Sequence, residues 1–217
     1  VAKVSRRDMA SIIANQKNGA TTVATTMICA NMARIKFFVT GGIGGVHRGF
    51  EEDMDVSADL EELAMTDVTV ICAGAKAILD LPRTMEYLET KGVPVIGYKT
   101  QYLPAFYTRA SDIKLNLTAL STQEIAKTVL TKEQLELKGG VLVVNPIPEE
   151  HSLEEKYINS IIEDALKSAK QEKVKGKDVT PYLLSKIVEK TEGKSLEANI
   201  QLVYNNAKVG AQIAYQY

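Results

Sequence analysis

Lys76 is the residue whose position suggests covalent chemistry most directly. It closes the segment CAGAK at residues 72–76, directly after an apolar, β-branched run. We predict a helix from about Ala75 to Lys91, which places Lys76 in the first turn, where the positive end of the helix dipole disfavours a second cation. That dipole, like desolvation, favours the neutral amine, and a neutral amine can attack a carbonyl carbon to form a Schiff base. The alternative is a solvated lysine at an ordinary helix start.

A glycine-rich segment, TGGIGGVHRG at residues 40–49, follows another apolar run. Its five glycines let backbone amides approach a ligand closely and adopt left-handed angles, which together build anion-binding loops. The dinucleotide-binding fingerprint G-x-G-x-x-G is not met, because His47 stands where the last glycine is required. A flexible glycine loop, with His47 as an ordinary surface or core histidine, is the alternative on this pattern alone.

The third segment of interest is acidic and covers residues 51–59, EEDMDVSAD. Ser57 is typical of a helix N-cap, and Asp59 suits the first turn of the helix that follows, so both have a structural explanation. Four acidic residues before them lack such an explanation: Glu51, Glu52, Asp53 and Asp55. Carboxylates of this kind suit a hard divalent cation, which makes the segment a candidate metal site.

Apolar runs that alternate with helical patterns indicate the scaffold. The predicted strands are IKFFVT at 35–40, VTVICA at 68–73, VIGY at 95–98 and VLVV at 141–144. The alternation predicts an α/β fold with a mixed β-sheet flanked by helices on both faces, in one domain over residues 1–217. The last third is predicted to be helical, with a capping box at residues 152–155. The final helix carries a predicted apolar stripe of Leu196, Ile200, Val203, Ala207 and Ala211.

Composition excludes several classes of function. The formal net charge is −1, so no broad basic surface for nucleic acid is expected. No apolar run approaches the ~18 residues of a membrane span, and no secretion signal is recognised. Cys29 and Cys72 lie in apolar runs and are interpreted as buried, reduced thiols. We therefore predict a cytoplasmic protein that binds neither nucleic acid nor membrane.

Seven motifs, taken together and in order, resemble those of the pseudouridine-5′-phosphate glycosidases, also called the indigoidine-synthase-A-like family. The motifs are GATTVA at 19–24, TGGIGGVHRG at 40–49, DVSADL at 55–60, CAGAK at 72–76, VIGYKT at 95–100, NPIPEE at 145–150 and GKSLEANIQLVYNNA at 193–207. The resemblance extends over essentially the whole chain. Each motif is modest alone, but their common order and spacing make the resemblance specific.

The resemblance implies a reaction and a set of site residues. Pseudouridine 5′-phosphate is cleaved reversibly to uracil and ribose 5-phosphate through a lysine Schiff base, and Lys76 matches that lysine. Asp55 matches a ligand that holds one Mn²⁺ ion largely through waters. The residues that match substrate contacts are Lys3, Thr22, Val23, Thr40, His47, Ser57, Ala58, Asp59 and Asn199. The carboxamide of Asn199 can pair with the edge of uracil, although a polar helix surface would also explain it. Family members assemble as homotrimers.

The sequence departs from the family pattern at its N-terminal side. Family members carry a further segment before the position of Val1, which supplies a glutamate used in proton transfer, and no residue here matches it. The domain is therefore interpreted as N-terminally incomplete. An alternative hypothesis is a non-catalytic, phosphosugar-binding remnant. A third is another Schiff-base lyase acting on a phosphorylated sugar, such as an aldolase, with the same lysine and a different leaving group.

Overall fold

A computed structural model of the protein describes residues 1–174 and 176–217, with only the backbone of Asp53 and Lys177. Strands in these residues are β1 (Ala2–Val4), β2 (Gly19–Thr21), β3 (Phe37–Val39), β4 (Val46–His47), β5 (Thr69–Cys72), β6 (Leu79–Asp80), β7 (Val95–Tyr98), β8 (Leu117–Ala119) and β9 (Val141–Val144). Helices are α1 (Arg6–Ala14), α2 (Val23–Met32), α3 (Phe50–Asp53), α4 (Ala58–Met65), α5 (Leu81–Thr90), α6 (Thr122–Gln134), α7 (Glu155–Gln171), α8 (Val179–Lys190) and α9 (Lys194–Gln216). Two 3₁₀ turns cover Glu149–His151 and Gly176–Asp178.

The main sheet has five strands in the order β3-β5-β9-β7-β8, and every neighbouring pair in it is parallel. All four strands predicted from the apolar runs belong to it, as β3, β5, β7 and β9. Antiparallel strand pairing occurs, within the described ranges, between the short strands β4 and β6, while β1 and β2 form a separate parallel pair. The predicted α/β fold is confirmed, although the main sheet is parallel throughout rather than mixed.

Helices cover both faces of this sheet, and alternation along the strands divides the core accordingly. Val70 and Cys72 of β5 point into one apolar cluster, which is covered by α2, α4, α7 and α8. Ile71 and Val143 point into the other, which is covered by α6 and α9. Because both faces are buried, the strands read as continuous apolar runs rather than as alternating ones. Both cysteines are free, and Cys72 is buried, but the prediction for Cys29 was wrong: it is exposed on the outer side of α2.

The last third of the chain is helical, as predicted, although two details of the prediction were wrong. Helix α7 is capped by Glu154, whose carboxylate accepts from the amides of Lys156 and Tyr157, and not by Ser152. In α9 the predicted apolar stripe is largely exposed, since Leu196 retains 49% of its accessible surface. Within the described residues, none of the helices combines the length and apolar character that a membrane crossing requires.

A buried polar contact decides which face of α9 packs on the sheet. Asn206 is fully buried; its Nδ2 donates to the Thr40 carbonyl at 3.0 Å, and its Oδ1 accepts from Asn145 Nδ2 at 3.0 Å. An apolar periodicity cannot reveal this anchor, because the anchoring residue is itself polar. The contact fixes the middle of α9 at the carboxyl ends of β3 and β9, and so places Asn199 beside Gly41.

Candidate active site

The loops that follow β3 and β5 run side by side at the carboxyl ends of the parallel strands. Backbone hydrogen bonds join them: the amide of Ala73 donates to Gly41 O at 2.9 Å, that of Ile43 to Gly74 O at 3.1 Å, and that of Lys76 to Ile43 O at 3.1 Å. Ligands of open α/β sheets bind at the carboxyl ends of the strands. A cleft of about 850 Å³ opens beside the paired loops.

The cleft gathers residues that are far apart in the sequence. Eight of the eleven predicted site residues line it: Lys3, Thr22, His47, Asp55, Ser57, Ala58, Asp59 and Lys76. Val23, the first residue of α2, directly follows the lining residue Thr22. Thr40 and Asn199 lie elsewhere, near Gly41 at the start of the glycine-rich loop. The structure therefore brings most of the set into one cleft and leaves two members beside the first glycine of that loop.

Lys76 does not lie in the first turn of a helix, so the predicted helix start at Ala75 was wrong. Helix α5 begins at Leu81, is capped by Asp80, and carries Pro82 in its first turn. Residues 73–78 form a loop instead, in which Ala75 bridges to Ile43 and the amide of Leu79 donates to Lys76 O at 3.0 Å. Leu79 and Asp80, which the prediction placed inside the helix, instead form β6 and pair with β4.

The neutral form of the Lys76 amine is nevertheless favoured, but by burial rather than by a helix dipole. Burial lowers the pKa of Lys76, the carboxylate of Asp59 acts in the opposite direction, and the cation of Lys3 adds to the lowering. Desolvation disfavours the charged form of any buried amine. A larger fraction of Lys76 is therefore unprotonated at neutral pH than free lysine would show.

Asp59 connects three segments that border the cleft. Its Oδ1 accepts from the amide of Ala24 in α2, and its Oδ2 from the amide of Gly44 in the glycine-rich loop, both at 2.8 Å. Its own amide donates to Ser57 Oγ at 3.2 Å, so Ser57 is the N-cap of α4, as its sequence predicted. Only 5% of Asp59 is exposed. The carboxylate thus holds the starts of two helices and the loop in one arrangement.

The glycines of the loop are required for close packing more than for left-handed angles. A Cβ on Gly44 would lie 2.8 Å from Asp59 Oδ2 and 2.6 Å from Ser57 Cβ, and one on Gly42 would lie 2.6 Å from the ring of Phe106. Among the loop's glycines, Gly49 alone has a positive φ within the described residues. The predicted left-handed turns are therefore absent from residues 41–45, where the missing side chain permits contact.

Phe106 forms the wall behind the paired loops and was not anticipated from the sequence. It is 3% exposed, its φ is +65°, and its amide donates to Ala73 O at 3.1 Å. Its ring packs on Gly42, while Gly74, with a φ of +87°, packs on the carbonyl of Pro104. A positive φ is uncommon for a bulky residue and persists where surrounding contacts enforce it.

The acidic run before Ser57 divides into two kinds of residue. Glu51 pairs with Arg83, and Glu52 with Lys170 at 3.4 Å, both on the surface. Asp55 instead lines the cleft, where its Oδ2 is 3.9 Å from His47 Nδ1. The side chain of Asp53 lies outside the described residues. In the part of the chain that the structure describes, no three His, Cys, Asp or Glu side chains converge as a metal site would require. A cation at Asp55 would therefore be coordinated mainly by water.

Two arginines, Arg6 and Arg7, also line the cleft beside Lys3, and sequence reasoning missed them. Arg6 Nη1 donates to both oxygens of the buried Glu62 carboxylate, at 3.0 and 2.7 Å. This contact attaches the start of α1 to α4. The concentration of three cations within residues 3–7 was the available signal. Arg7 Nε lies 3.3 Å from Asp8 Oδ1, and the lining of the cleft carries acidic as well as basic side chains.

Known proteins resemble this chain over nearly all of its length. The model of the family described as indigoidine synthase A like protein matches residues 1–216. A pseudouridine-5′-phosphate glycosidase of Staphylococcus aureus (strain MW2) is 65% identical over 214 residues, covering 99% of this chain and 70% of that protein. One of Glaesserella parasuis serovar 5 (strain SH0165) is 64% identical over 217 residues, covering 100% and 72%.

Two solved structures are similar over the whole of this chain. A prealnumycin C-glycosynthase in complex with ribulose 5-phosphate matches with a TM-score of 0.93 at 37% identity, over 100% of this chain and 71% of that one. An indigoidine synthase A-like protein from Thermotoga maritima matches with a TM-score of 0.91 at 35% identity, over 100% and 72%.

Proposed function

Because this chain belongs to the indigoidine synthase A like protein family, we propose that it cleaves pseudouridine 5′-phosphate reversibly into uracil and ribose 5-phosphate. Relatives that are 65% and 64% identical to it are named for pseudouridine-5′-phosphate glycosidase activity. The observation that carries the proposal is a largely buried lysine, Lys76, in a cleft that Lys3 and Arg6 also line. A phosphorylated sugar offers an electrophilic carbon to the amine and a phosphate to these cationic side chains.

The proposed nucleophile is Lys76 Nζ, which bonds to C1′ as the C1′–O4′ bond of the ribose ring breaks, and O4′ becomes a hydroxyl by taking up the proton that the amine loses. The nitrogen lone pair then forms a C=N bond as the C1′–C5 bond to uracil breaks. The bonding electrons stay on C5 of uracil, which takes up a proton. Water hydrolyses the imine, releases ribose 5-phosphate and restores the amine. The lowered pKa of Lys76 supports this role, because the attacking form is the neutral amine.

The phosphosugar is proposed to bind where Lys3, Thr22 and Ser57 meet. Lys3 lies close enough to Lys76 for its charge to lower the pKa of Lys76. Thr22 and Ser57 are the N-caps of α2 and α4, and the starts of helices favour anionic groups. We assign Val23, Ala58 and Asp59 to the same subsite, with Thr40 and His47 along the glycine-rich loop. Asn199, beside Gly41, is assigned to uracil.

We propose one Mn²⁺ ion as cofactor, with Asp55 as its protein ligand. Carboxylate oxygens suit this ion, and the imidazole of His47 stands 3.9 Å from the carboxylate. When bound, such an ion supplies positive charge that orders water and offsets the charge of the phosphosugar. The residues present fit an ion held mostly through water better than a site closed by protein ligands.

Asp55→Asn is expected to weaken Mn²⁺ binding by roughly 10- to 100-fold or more, because the amide is uncharged. The loss of the free Mn²⁺ signal in electron paramagnetic resonance measures the affinity. Glu51→Gln is the matched control, since Glu51 belongs to the same acidic run but pairs with Arg83 on the surface. Equal Mn²⁺ affinities for the two variants would contradict the assignment.

The activity is tested by uracil release from pseudouridine 5′-phosphate, together with borohydride trapping of ribose 5-phosphate. We expect uracil release with Mn²⁺ present and a sugar adduct that peptide mapping places on Lys76. Binding of ribose 5-phosphate with neither uracil nor adduct would favour the non-catalytic remnant. An adduct without cleavage of pseudouridine 5′-phosphate would favour an aldolase-like lyase, which a panel of phosphorylated sugars would identify.

Assembly and compartment complete the proposal. We propose a homotrimer, supported by the exposed apolar side chains of Leu196, Ile200 and Val203 along α9. A native mass equal to that of one chain would contradict it. We propose a cytoplasmic location, where the free thiols Cys29 and Cys72 would stay reduced.

A further inference from the structure

The loop that carries Lys76 has two sides, and its inner side is held by backbone contacts. The amide of Lys76 donates to Ile43 O at 3.1 Å, and Leu79 pairs with His47 in the β4–β6 ribbon. These bonds attach the loop to the glycine-rich segment. They leave the carbonyls of Ala77 and Leu79 to be satisfied from the outer side, since a buried carbonyl without a partner is costly.

Arg48 supplies hydrogen bonds to both of these carbonyls. Its Nη2 donates to Ala77 O at 3.2 Å, and its Nε donates to Leu79 O at 3.4 Å. Ala77 and Leu79 are 8% and 2% exposed, so the contact lies against a packed part of the loop. A guanidinium presents several donors in a fixed plane and stays charged, which suits it to hold two carbonyls at a fixed separation.

The neighbour of Arg48 in the sequence works on the opposite side of the same loop. His47 lines the cleft with Lys76, whereas Arg48 lines a separate cavity of about 380 Å³ behind the loop, together with Ala77 and Leu79. Strand β4 ends at His47, and the chain turns at Arg48. His47 and Arg48 therefore lie on opposite sides of the loop, His47 on the side of the cleft and Arg48 on the side of the second cavity.

We propose that Arg48 is a positioning residue that fixes the direction in which Lys76 presents its amine to the sugar. The proposal rests on the proposed function, because it requires Lys76 to be the nucleophile. Among the described residues, Arg48 lines the cavity behind the loop and does not belong to the lining of the cleft. Its influence runs through the carbonyls of Ala77 and Leu79, which lie on the C-terminal side of Lys76. Displacements near 1 Å in a nucleophile can lower a rate by about 10²-fold.

Arg48→Ala in the otherwise unchanged protein tests the proposal. We expect kcat for uracil release to fall about 10- to 100-fold, with KM changed less than about threefold. The single-turnover rate of borohydride-trapped adduct formation should fall by the same factor. Hydrogen exchange at the amides of Lys76 and Leu79 should accelerate, because their loop is released on one side. Millimolar guanidinium should restore part of the rate by occupying the vacated position.

Arg83→Ala is the matched control, since it removes the same charge from the adjacent helix, where Arg83 pairs with Glu51 and Asp80. It should leave the adduct rate unchanged. Arg48→Lys keeps the charge but cannot donate to both carbonyls as the guanidinium does. Its rate of adduct formation should therefore stay below that of the wild type. If wild type traps the sugar on Lys76 and Arg48→Ala traps it equally fast, the positioning role is overturned while the proposed function stands. If wild type forms no adduct, both fall together.

Discussion

Lys76→Ala is expected to abolish turnover, lowering the rate of uracil release by roughly 10⁴- to 10⁶-fold. The amine is the proposed nucleophile, and no bond to C1′ can form without it. Steady-state release of uracil from pseudouridine 5′-phosphate measures the loss. Ribose 5-phosphate should still bind, because Lys3 and the starts of α2 and α4 are unchanged.

The fold should survive this substitution, and the melting temperature should be equal or higher. Burial lowers the pKa of Lys76 in the folded protein, so the unfolded chain binds more protons between that lowered pKa and the ordinary lysine value. The free energy of unfolding therefore rises with pH across this window, and the destabilisation by the lysine is full at and below its lowered pKa. A cooperative melt with unchanged or raised midpoint separates loss of chemistry from loss of structure.

Lys76→Arg is the sharper control. It keeps a long cationic side chain, but a guanidinium remains protonated and cannot act as the neutral nucleophile. Turnover should be as low as in Lys76→Ala. Substantial activity in Lys76→Arg would mean that the charge of Lys76 matters rather than its lone pair, and the Schiff-base mechanism would have to be abandoned.

Asp59→Asn is expected to lower the free energy of unfolding by about 2–4 kcal/mol. The carboxylate accepts from two backbone amides, those of Ala24 and Gly44, with one oxygen for each. A carboxamide has only one acceptor oxygen, so its amino group would face one of these N–H groups in a buried position. For a chain of this size the melting temperature should fall by roughly 4–16 °C.

The same substitution should move the pH dependence of the reaction in a defined direction. The charge of Asp59 opposes the effect of burial on Lys76 and raises the pKa of its amine. Removing that charge lowers the pKa further, so the neutral amine persists to lower pH. The acid limb of the rate of adduct formation should shift to lower pH. A shift to higher pH would show that Asp59 does not act on Lys76 through its charge.

Glu61→Gln provides the comparison, because Glu61 belongs to the same helix and also lines the cleft. Its carboxylate pairs with Tyr87 and Lys91 near the surface, and exposed pairs of this kind contribute about 0–1 kcal/mol. The melting temperature should therefore change little. A loss in Glu61→Gln as large as that in Asp59→Asn would indicate a general effect of charge on α4.

The parts of the fold that could be predicted were those set by local patterns. The strands at β5, β7 and β9 were predicted because burial on both faces leaves an unbroken apolar run. The helical last third followed from its periodicity. The prediction failed where a distant partner decides the outcome: residues 79–80 pair with β4, and Asn206 turns α9 toward the sheet.

The residues of the candidate site could be predicted where they belong to the recognised sequence motifs. Most predicted residues line one cleft, although their individual roles are still predictions. Arg48 and Phe106 were not found, because each acts through a backbone group of another segment and no local pattern marks such contacts. For Lys76 the predicted preference for the neutral amine was right, but the predicted cause was wrong. Burial, rather than a helix dipole, lowers the pKa of Lys76.

The packing around Gly74 restricts how this loop can vary through evolution. Loops ordinarily accept substitutions and insertions more readily than the elements they join. Here the backbone of Gly74 has a φ of +87° and lies against the carbonyl of Pro104, while Phe106 holds the neighbouring Ala73. Any other residue at position 74 would have an unfavourable φ, and its side chain would collide with the backbone of Pro104. Sequence drift in this enzyme should therefore be concentrated on its helix surfaces, and residues 72–76 should tolerate less change than the strands beside them.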